Sequence, residues 1–148
     1  MQILFDTSVL VAGFVESHVS HKAVIRWLKK IKNKEISLLV SAHSLAECYA
    51  VLTRLPLSPK ILPSIAHTLI SENISKLGKI VSLKDSQYLS LIHHLSQLGL
   101  SGGIIYDAII LKTAQMAKAE KLLTLNSRDF IRLCPENESY IITPSDSV

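Results

Sequence analysis

The sequence predicts an α/β fold, a three-layer α/β/α sandwich around a mainly parallel central sheet of four to five strands. Three observations carry that prediction. Short continuous apolar runs, beginning with Ile3-Leu4-Phe5, read as strands covered on both faces, which is how strands of parallel sheets look. Stretches of roughly ten or more residues with helical apolar spacing separate them, as a crossover connection requires. The chain has 148 residues, 48% of them hydrophobic and 19% charged, which suits a single compact domain spanning 1–148.

The elements follow in order. Ile3-Leu4-Phe5 is the first strand and ends at Asp6-Thr7-Ser8; a connection through Gly13 follows. Residues 21–32 place Val24, Ile25, Leu28 and Ile31 on one helical face, with Lys22, Arg26, Lys29 and Lys30 mostly elsewhere. The second strand is 36–40, and Ser41 to Ser44 supply capping residues for a helix over 45–55 that Pro56 stops. Its apolar stripe is Leu45, Cys48, Tyr49, Leu52 and Leu55, which leaves Glu47 on the opposite side. Pro59 suits the first turn of the next helix, which runs through Ile61, Leu62, Ile65, Leu69 and Ile70, with Gly78 as its C-terminal cap. A short strand at 80–83, a helix from Asp85 closed by Gly99, and a Ser101-Gly102-Gly103 loop come next. The most apolar helix covers 105–119; a strand at 122–125, a short helix at 127–133 and a last strand at 140–143 complete the chain. No internal repeat or linker is visible.

Composition narrows the classes. Sixteen Lys and Arg against twelve Asp and Glu give a formal charge of +4, which permits a polyanionic partner without requiring one. Cys48 and Cys134 form neither a disulfide framework nor a C-x-x-C zinc pair, so a reducing compartment is the simpler reading. Met1 to Asp6 carry no basic leader, and no apolar run approaches the ~18 residues of a membrane span, so a cytoplasmic protein without membrane association is expected.

Four segments put polar groups in apolar company. Asp6 ends the first strand just before Val9-Leu10-Val11-Ala12, where a carboxylate is costly unless hydrogen bonded, paired or bound to a cation; it reads equally as an N-cap held by the amides of Ser8 and Val9. Asp107 lies in Ile104-Ile105-Tyr106-Asp107-Ala108-Ile109-Ile110-Leu111, whose first two turns are apolar all round, so this helix is expected to be buried on every side. Glu47 reads as a solvated glutamate by itself, but it follows the second strand at the same sheet edge as Asp6. In Leu123-Thr124-Leu125-Asn126-Ser127-Arg128-Asp129 a fourth strand ends in polar residues at that edge, where either Asn126 or Asp129 also serves as a helix cap. Carboxylates gathered at one point imply shared protons or a bound hard cation, and oxygen-only ligation selects Mg²⁺ or Mn²⁺ over zinc. Phosphodiester hydrolysis is the chemistry this suggests.

The segments Ile3-Leu4-Phe5-Asp6-Thr7-Ser8-Val9-Leu10, Ser44-Leu45-Ala46-Glu47, Gly102-Gly103 with Tyr106-Asp107-Ala108, and Leu123-Thr124-Leu125-Asn126 with Asp129-Phe130 together resemble a PIN domain of the VapC toxin type over nearly the whole chain. That resemblance implies that Asp6, Glu47 and Asp107 are acidic metal ligands and catalytic residues, with Thr7, Ser8, Thr124, Asn126 and Asp129 in support. The family's fourth acidic position falls at or near Asn126, an amide, which puts a second metal site in doubt. Also implied are hydrolytic endonucleolytic cleavage of single-stranded RNA with Mg²⁺ or Mn²⁺, a homodimer, and a cognate antitoxin protein. Lys22, Arg26, Lys29 and Lys30 lie in a stretch that either tracks RNA phosphates or forms a solvated helix face.

Rival readings fit less of the chain. A haloacid-dehalogenase-type enzyme needs a second Asp at position 8, where Ser stands; a receiver domain needs acidic residues before its phosphorylated strand; no G-x-x-x-x-G-K-[ST] motif is present. A solitary RNA-processing nuclease and a catalytically silent RNA- or protein-binding module remain as alternatives. His18, His21, His43, His67, His93 and His94 fall in no ligand spacing and are read as surface or helix-face residues.

Overall fold

The computed structural model describes residues 1–146. The first strand, β1 (Gln2–Phe5), alternates its buried side chains between two cores: Ile3 and Phe5 enter one, Leu4 the other. Strands β2 (Ser37–Ser41), β3 (Gly78–Val81), β4 (Lys121–Leu123) and β5 (Ile141–Ile142) join it in the order β3-β2-β1-β4-β5, every pair parallel. The expected sandwich with four to five strands is therefore present, and its sheet is wholly parallel. Because β2 and β3 lie to one side of β1 and β4 and β5 to the other, the strand order reverses between β1 and β4. A crevice opens at the carboxyl ends of strands at such a point.

The first helix, α1 (Thr7–Phe14), begins directly after β1, where the sequence predicts only a connection. Its Val9, Leu10, Val11 and Ala12 are all buried, and an eight-residue helix without polar punctuation looks like plain apolar chain. The second, α2 (His21–Lys32), has the expected bounds, but Trp27 takes a core position alongside Val24 and Ile31. Its indole donates from Nε1 to the carbonyl of Pro144 at 3.0 Å, tying the C-terminal segment to this helix. The third, α3 (Ala42–Arg54), buries Ser44, Cys48 and Leu52, whereas Tyr49 is 44% exposed, so the buried stripe is rotated from the apolar one.

The fourth helix, α4 (Pro63–Ile70), starts at Pro63 and not near Pro59, and a π-helical turn (Ser71–Ser75) extends it. Gly78 is not a helix cap but the first residue of β3. A Cβ there would stand 2.9 Å from Leu38 Cδ2 and 3.2 Å from the Ile74 carbonyl, so close packing onto β2 is what demands glycine. The fifth helix, α5 (Asp85–Gln97), ends just before Gly99, whose φ of +66° suits the left-handed turn that closes it. The sixth, α6 (Ile104–Met116), and the seventh, α7 (Ser127–Leu133), cover the second face of the sheet, where Ile110, Leu111, Ala114 and Phe130 pack on Leu4 and Leu39. A 3₁₀ segment (Pro135–Tyr140) precedes β5. Among the described residues, no helix is long and apolar enough to cross a membrane.

Candidate active site

Asp6 is the N-cap of α1 at the carboxyl end of β1, and it is 4% exposed. Its Oδ1 accepts the Thr7 amide at 2.7 Å, while Oδ2 accepts the Ser8 hydroxyl at 2.6 Å and the Thr124 hydroxyl at 2.8 Å. Asp6 is thus an N-cap, with the Thr7 amide donating to its Oδ1. Burial pushes this carboxyl above the ordinary aspartate range, and the Ser8 and Thr124 hydrogen bonds oppose that push by favouring the anion. Thr124, itself fully buried, follows β4, so two strands flanking the reversal point hold one carboxylate.

Glu47 is drawn toward the same place by α1. The Thr7 hydroxyl lies 3.0 Å from Glu47 Oε1 and 3.0 Å from the buried Ser44 hydroxyl. A hydroxyl has one proton, so when Thr7 donates to the carboxylate it can still accept from Ser44. Asp107 stands in the first turn of α6, where burial is less complete than the all-apolar wheel implies: Tyr106 is 50% exposed and full burial begins at Ala108. The first turn projects to the rim of the sheet edge, so its apolar residues border a cleft and are not enclosed. The Asp107 carboxyl is pushed up to about 6, by burial first and then by the negative charges of Asp6, Asp129 and Glu47.

Asp6, Thr7, Ser8, Glu47, Asp107 and Asn126 line one cleft, with Val11, Val51, Leu55 and Leu125 as its apolar walls. Asn126 donates from Nδ2 to Asp129 Oδ2 at 2.7 Å, and its own amide donates to the Thr124 hydroxyl at 2.9 Å. Asp129 does not line the cleft but acts on Asp107 through its charge. None of Lys22, Arg26, Lys29 and Lys30 lines it either; Lys30 Nζ sits 5.1 Å from the centre of the Trp27 ring. Behind the cleft, Cys48 is buried and its thiol is pushed up to about 12 by burial, with Glu47 and Asp6 adding to it, so it carries no nucleophile.

Two histidines that sequence spacing passes over stand at this site. His43 stacks on Tyr106 with ring centres 5.1 Å apart and planes 7° from parallel, joining α3 to α6 beside two of the carboxylates. Its Nε2 is 3.3 Å from Glu47 Oε1, one helical turn away. His18 lines the cleft itself, from the loop after α1. The approach of His43 to Glu47 follows from their i,i+4 spacing on α3, whereas no spacing marks the stack on Tyr106 or the place of His18, which depend on which helix or loop folds over the cleft.

The donor set suits a hard cation: carboxylate, hydroxyl and amide oxygens, with mutual repulsion that a divalent ion relieves. Among the described residues, no three His, Cys, Asp or Glu side chains are drawn together tightly enough to hold an ion unaided. That is compatible with Mg²⁺, which commonly takes one or two carboxylates and keeps waters and substrate phosphates for the remainder.

A parallel sheet with an acidic cleft at the point where its strand order reverses defines a class of fold, and comparison with known proteins assigns the chain within it. The chain belongs to the PIN domain family, whose model matches residues 3–134. It is 40% identical over 123 residues to ribonuclease VapC40 of Mycobacterium tuberculosis, covering 83% of this chain and 85% of that one. It is 34% identical over 124 residues to ribonuclease VapC27 of the same organism, covering 84% and 82%. Among solved structures, a chain of VapBC2 from Rickettsia felis, crystallised with a DNA fragment from their promoter, superposes with a TM-score of 0.66 at 20% identity, covering 97% of this chain and 98% of that one.

Proposed function

We propose that the protein is a metal-dependent endoribonuclease that hydrolyses phosphodiester bonds of single-stranded RNA, and that it is the toxin of a type II toxin–antitoxin pair, inhibited by a cognate antitoxin and assembling as a homodimer. The observation that carries the reading is the common cleft of Asp6, Glu47 and Asp107, supplied by β1, α3 and α6. The identity to VapC40 and VapC27 over most of the chain supports the same activity.

In this reading Asp6, Glu47 and Asp107 hold Mg²⁺ or Mn²⁺. The ion, when bound, lowers the pKa of an attacking water and offsets the charge that builds on the scissile phosphate. Asp6 contributes a carboxylate whose orientation is set by Thr7, Ser8 and Thr124. Glu47, steered by the Thr7 hydroxyl, is placed to take a proton from the incoming water. Val11, Val51 and Leu125 form apolar walls beside these groups. Asn126 supplies a neutral oxygen where a further carboxylate would bring a second ion, so a single resident ion is expected.

The test is cleavage of single-stranded RNA with Mg²⁺ or Mn²⁺ by the parent, Asp6→Asn and Asp107→Asn. Each variant should lose about 100-fold or more in kcat while keeping its fold by circular dichroism. Metal-dependent cleavage that survives in both variants would show that the site lies elsewhere.

A further inference from the structure

The loop between α1 and α2 brings into the acidic cleft a side chain that has no task in the hydrolytic mechanism. His18 lines that cleft with Asp6, Glu47 and Asp107, and among the lining residues it is the one with a basic nitrogen. Its ring state is set locally. The Ser20 amide donates to His18 Nδ1 at 3.0 Å, so the neutral ring carries its proton on Nε2. Among the described residues, Nε2 makes no hydrogen bond of its own.

The turn that presents the ring is itself well tied. The His18 amide donates to the Val15 carbonyl at 3.0 Å, and the His21 amide to the His18 carbonyl at 2.9 Å. His21 Nδ1 pairs with the Ala12 carbonyl at 2.9 Å, anchoring the start of α2 to α1. A ring held in this way is a donor and not a metal ligand. Ligation through Nε2 would move the proton to Nδ1 and break the bond from Ser20. A cleft lined by carboxylates repels a phosphodiester, and an N–H at its edge offers a phosphate oxygen a favourable partner.

We propose that His18 contacts the substrate, its Nε2–H donating a hydrogen bond to a non-bridging phosphate oxygen of the single strand bound in the acidic cleft. The proposal rests on the ribonuclease reading and names one of its phosphate-recognition groups. His18 makes and breaks no covalent bond; it holds the strand in register with the carboxylates.

The experiment compares parent, His18→Asn and His18→Gln on RNA with Mg²⁺, using strands in which sulfur replaces one non-bridging oxygen at successive phosphates. Asn keeps an acceptor for the Ser20 amide and removes the Nε2 donor, whereas Gln keeps an N–H near the Nε2 position. His18→Asn should lose about ten- to a hundredfold in kcat/KM with an unchanged unfolding midpoint, and His18→Gln should recover part of it. Sulfur at one phosphate should slow the parent and leave His18→Asn unaffected there. Parental kcat/KM in His18→Asn, or identical sulfur sensitivity in parent and variant, overturns the contact. If His18→Asn unfolds, His18→Gln decides: a phosphate-specific sulfur effect supports the contact, and a uniform loss of rate refutes it. A parent that cleaves no RNA with either metal removes the ribonuclease reading and this contact together; cleavage lost in Asp107→Asn but kept in His18→Asn removes only the contact.

Discussion

At the scale of single residues, Asp6 shows how one side chain serves fold and site at once. It caps α1 through the Thr7 amide and turns its other oxygen to Ser8 and Thr124, so the helix start fixes the carboxylate that faces the cleft. Its position after an apolar strand is legible in the sequence because a carboxylate there needs a compensating partner. Glu47 is not legible from its helix, since what draws it inward is the Thr7 hydroxyl on another element. Asp107 carries a measurable consequence. Its folded carboxyl titrates at about 6 against an ordinary aspartate value of 3.8, so the folded state holds the proton more tightly than the unfolded chain. A raised carboxyl stabilises the fold below its unfolded pKa, and that contribution is lost as pH rises through the folded value. In metal-free buffer, parent stability should therefore decline from about pH 4 to about pH 7 relative to Asp107→Asn. Urea unfolding of both proteins at these two pH values checks this, and added Mg²⁺ should restore the parent at the higher pH but not the variant. A constant difference between the two proteins across the range would refute the assignment.

At the scale of elements, nearly every helix and strand is legible in the sequence, but faces and ends are not. α1 escapes it because an apolar helix covered on all sides lacks the polar–apolar alternation that marks an amphipathic one. The rotation of α3 has a related cause. Ser44 is fully buried because it pairs with Thr7, while Tyr49 is displaced to the surface, and neither choice follows from hydrophobicity. Gly78 suggests a helix end by its usual role, whereas the approach of β3 to Leu38 is what requires it. The His43–Tyr106 stack braces α3 against α6 where Glu47 and Asp107 project. Tyr106→Ala should cost about 0.5–1.5 kcal/mol of stability beyond the lost area, and should lower kcat by loosening the two carboxylates, while Tyr106→Phe keeps both. Thermal unfolding together with the RNA cleavage assay measures the two effects. An alanine variant with parental kcat would show that the brace does not position the site.

At the scale of the whole molecule, charge is unevenly distributed. Removing Asp6, Glu47 and Asp107 from the count leaves nine acids against sixteen bases, so a formal charge of +4 becomes a body of +7 around a small acidic well. That distribution suits the proposed reading, in which a polyanion would be attracted broadly and admitted to the well through a cation. The exposed Lys22, Arg26 and Lys29 lie on α2 outside the cleft, and they are expected to meet RNA phosphates at a distance from the reacting one. Replacing all three with Glu should weaken RNA binding and flatten its logarithmic salt dependence by about 2, at roughly 0.7 for each single-strand phosphate that is no longer neutralised. Fluorescence anisotropy over a salt series with Asp107→Asn as the background measures it, and an unchanged slope would return these residues to a solvated face. The sequence by itself determined the layer architecture, the parallel habit of the sheet and the anomaly of Asp6 and Asp107, because apolar period and a carboxylate in apolar surroundings are local properties of the chain. Only the tertiary structure decided that strand order reverses between β1 and β4, that Thr7 and Thr124 reach across to Glu47 and Asp6, and that His18 and the His43–Tyr106 stack stand at the cleft. Those contacts join residues far apart in the chain, and they exist because a crossover fold gathers the carboxyl ends of its strands at one edge.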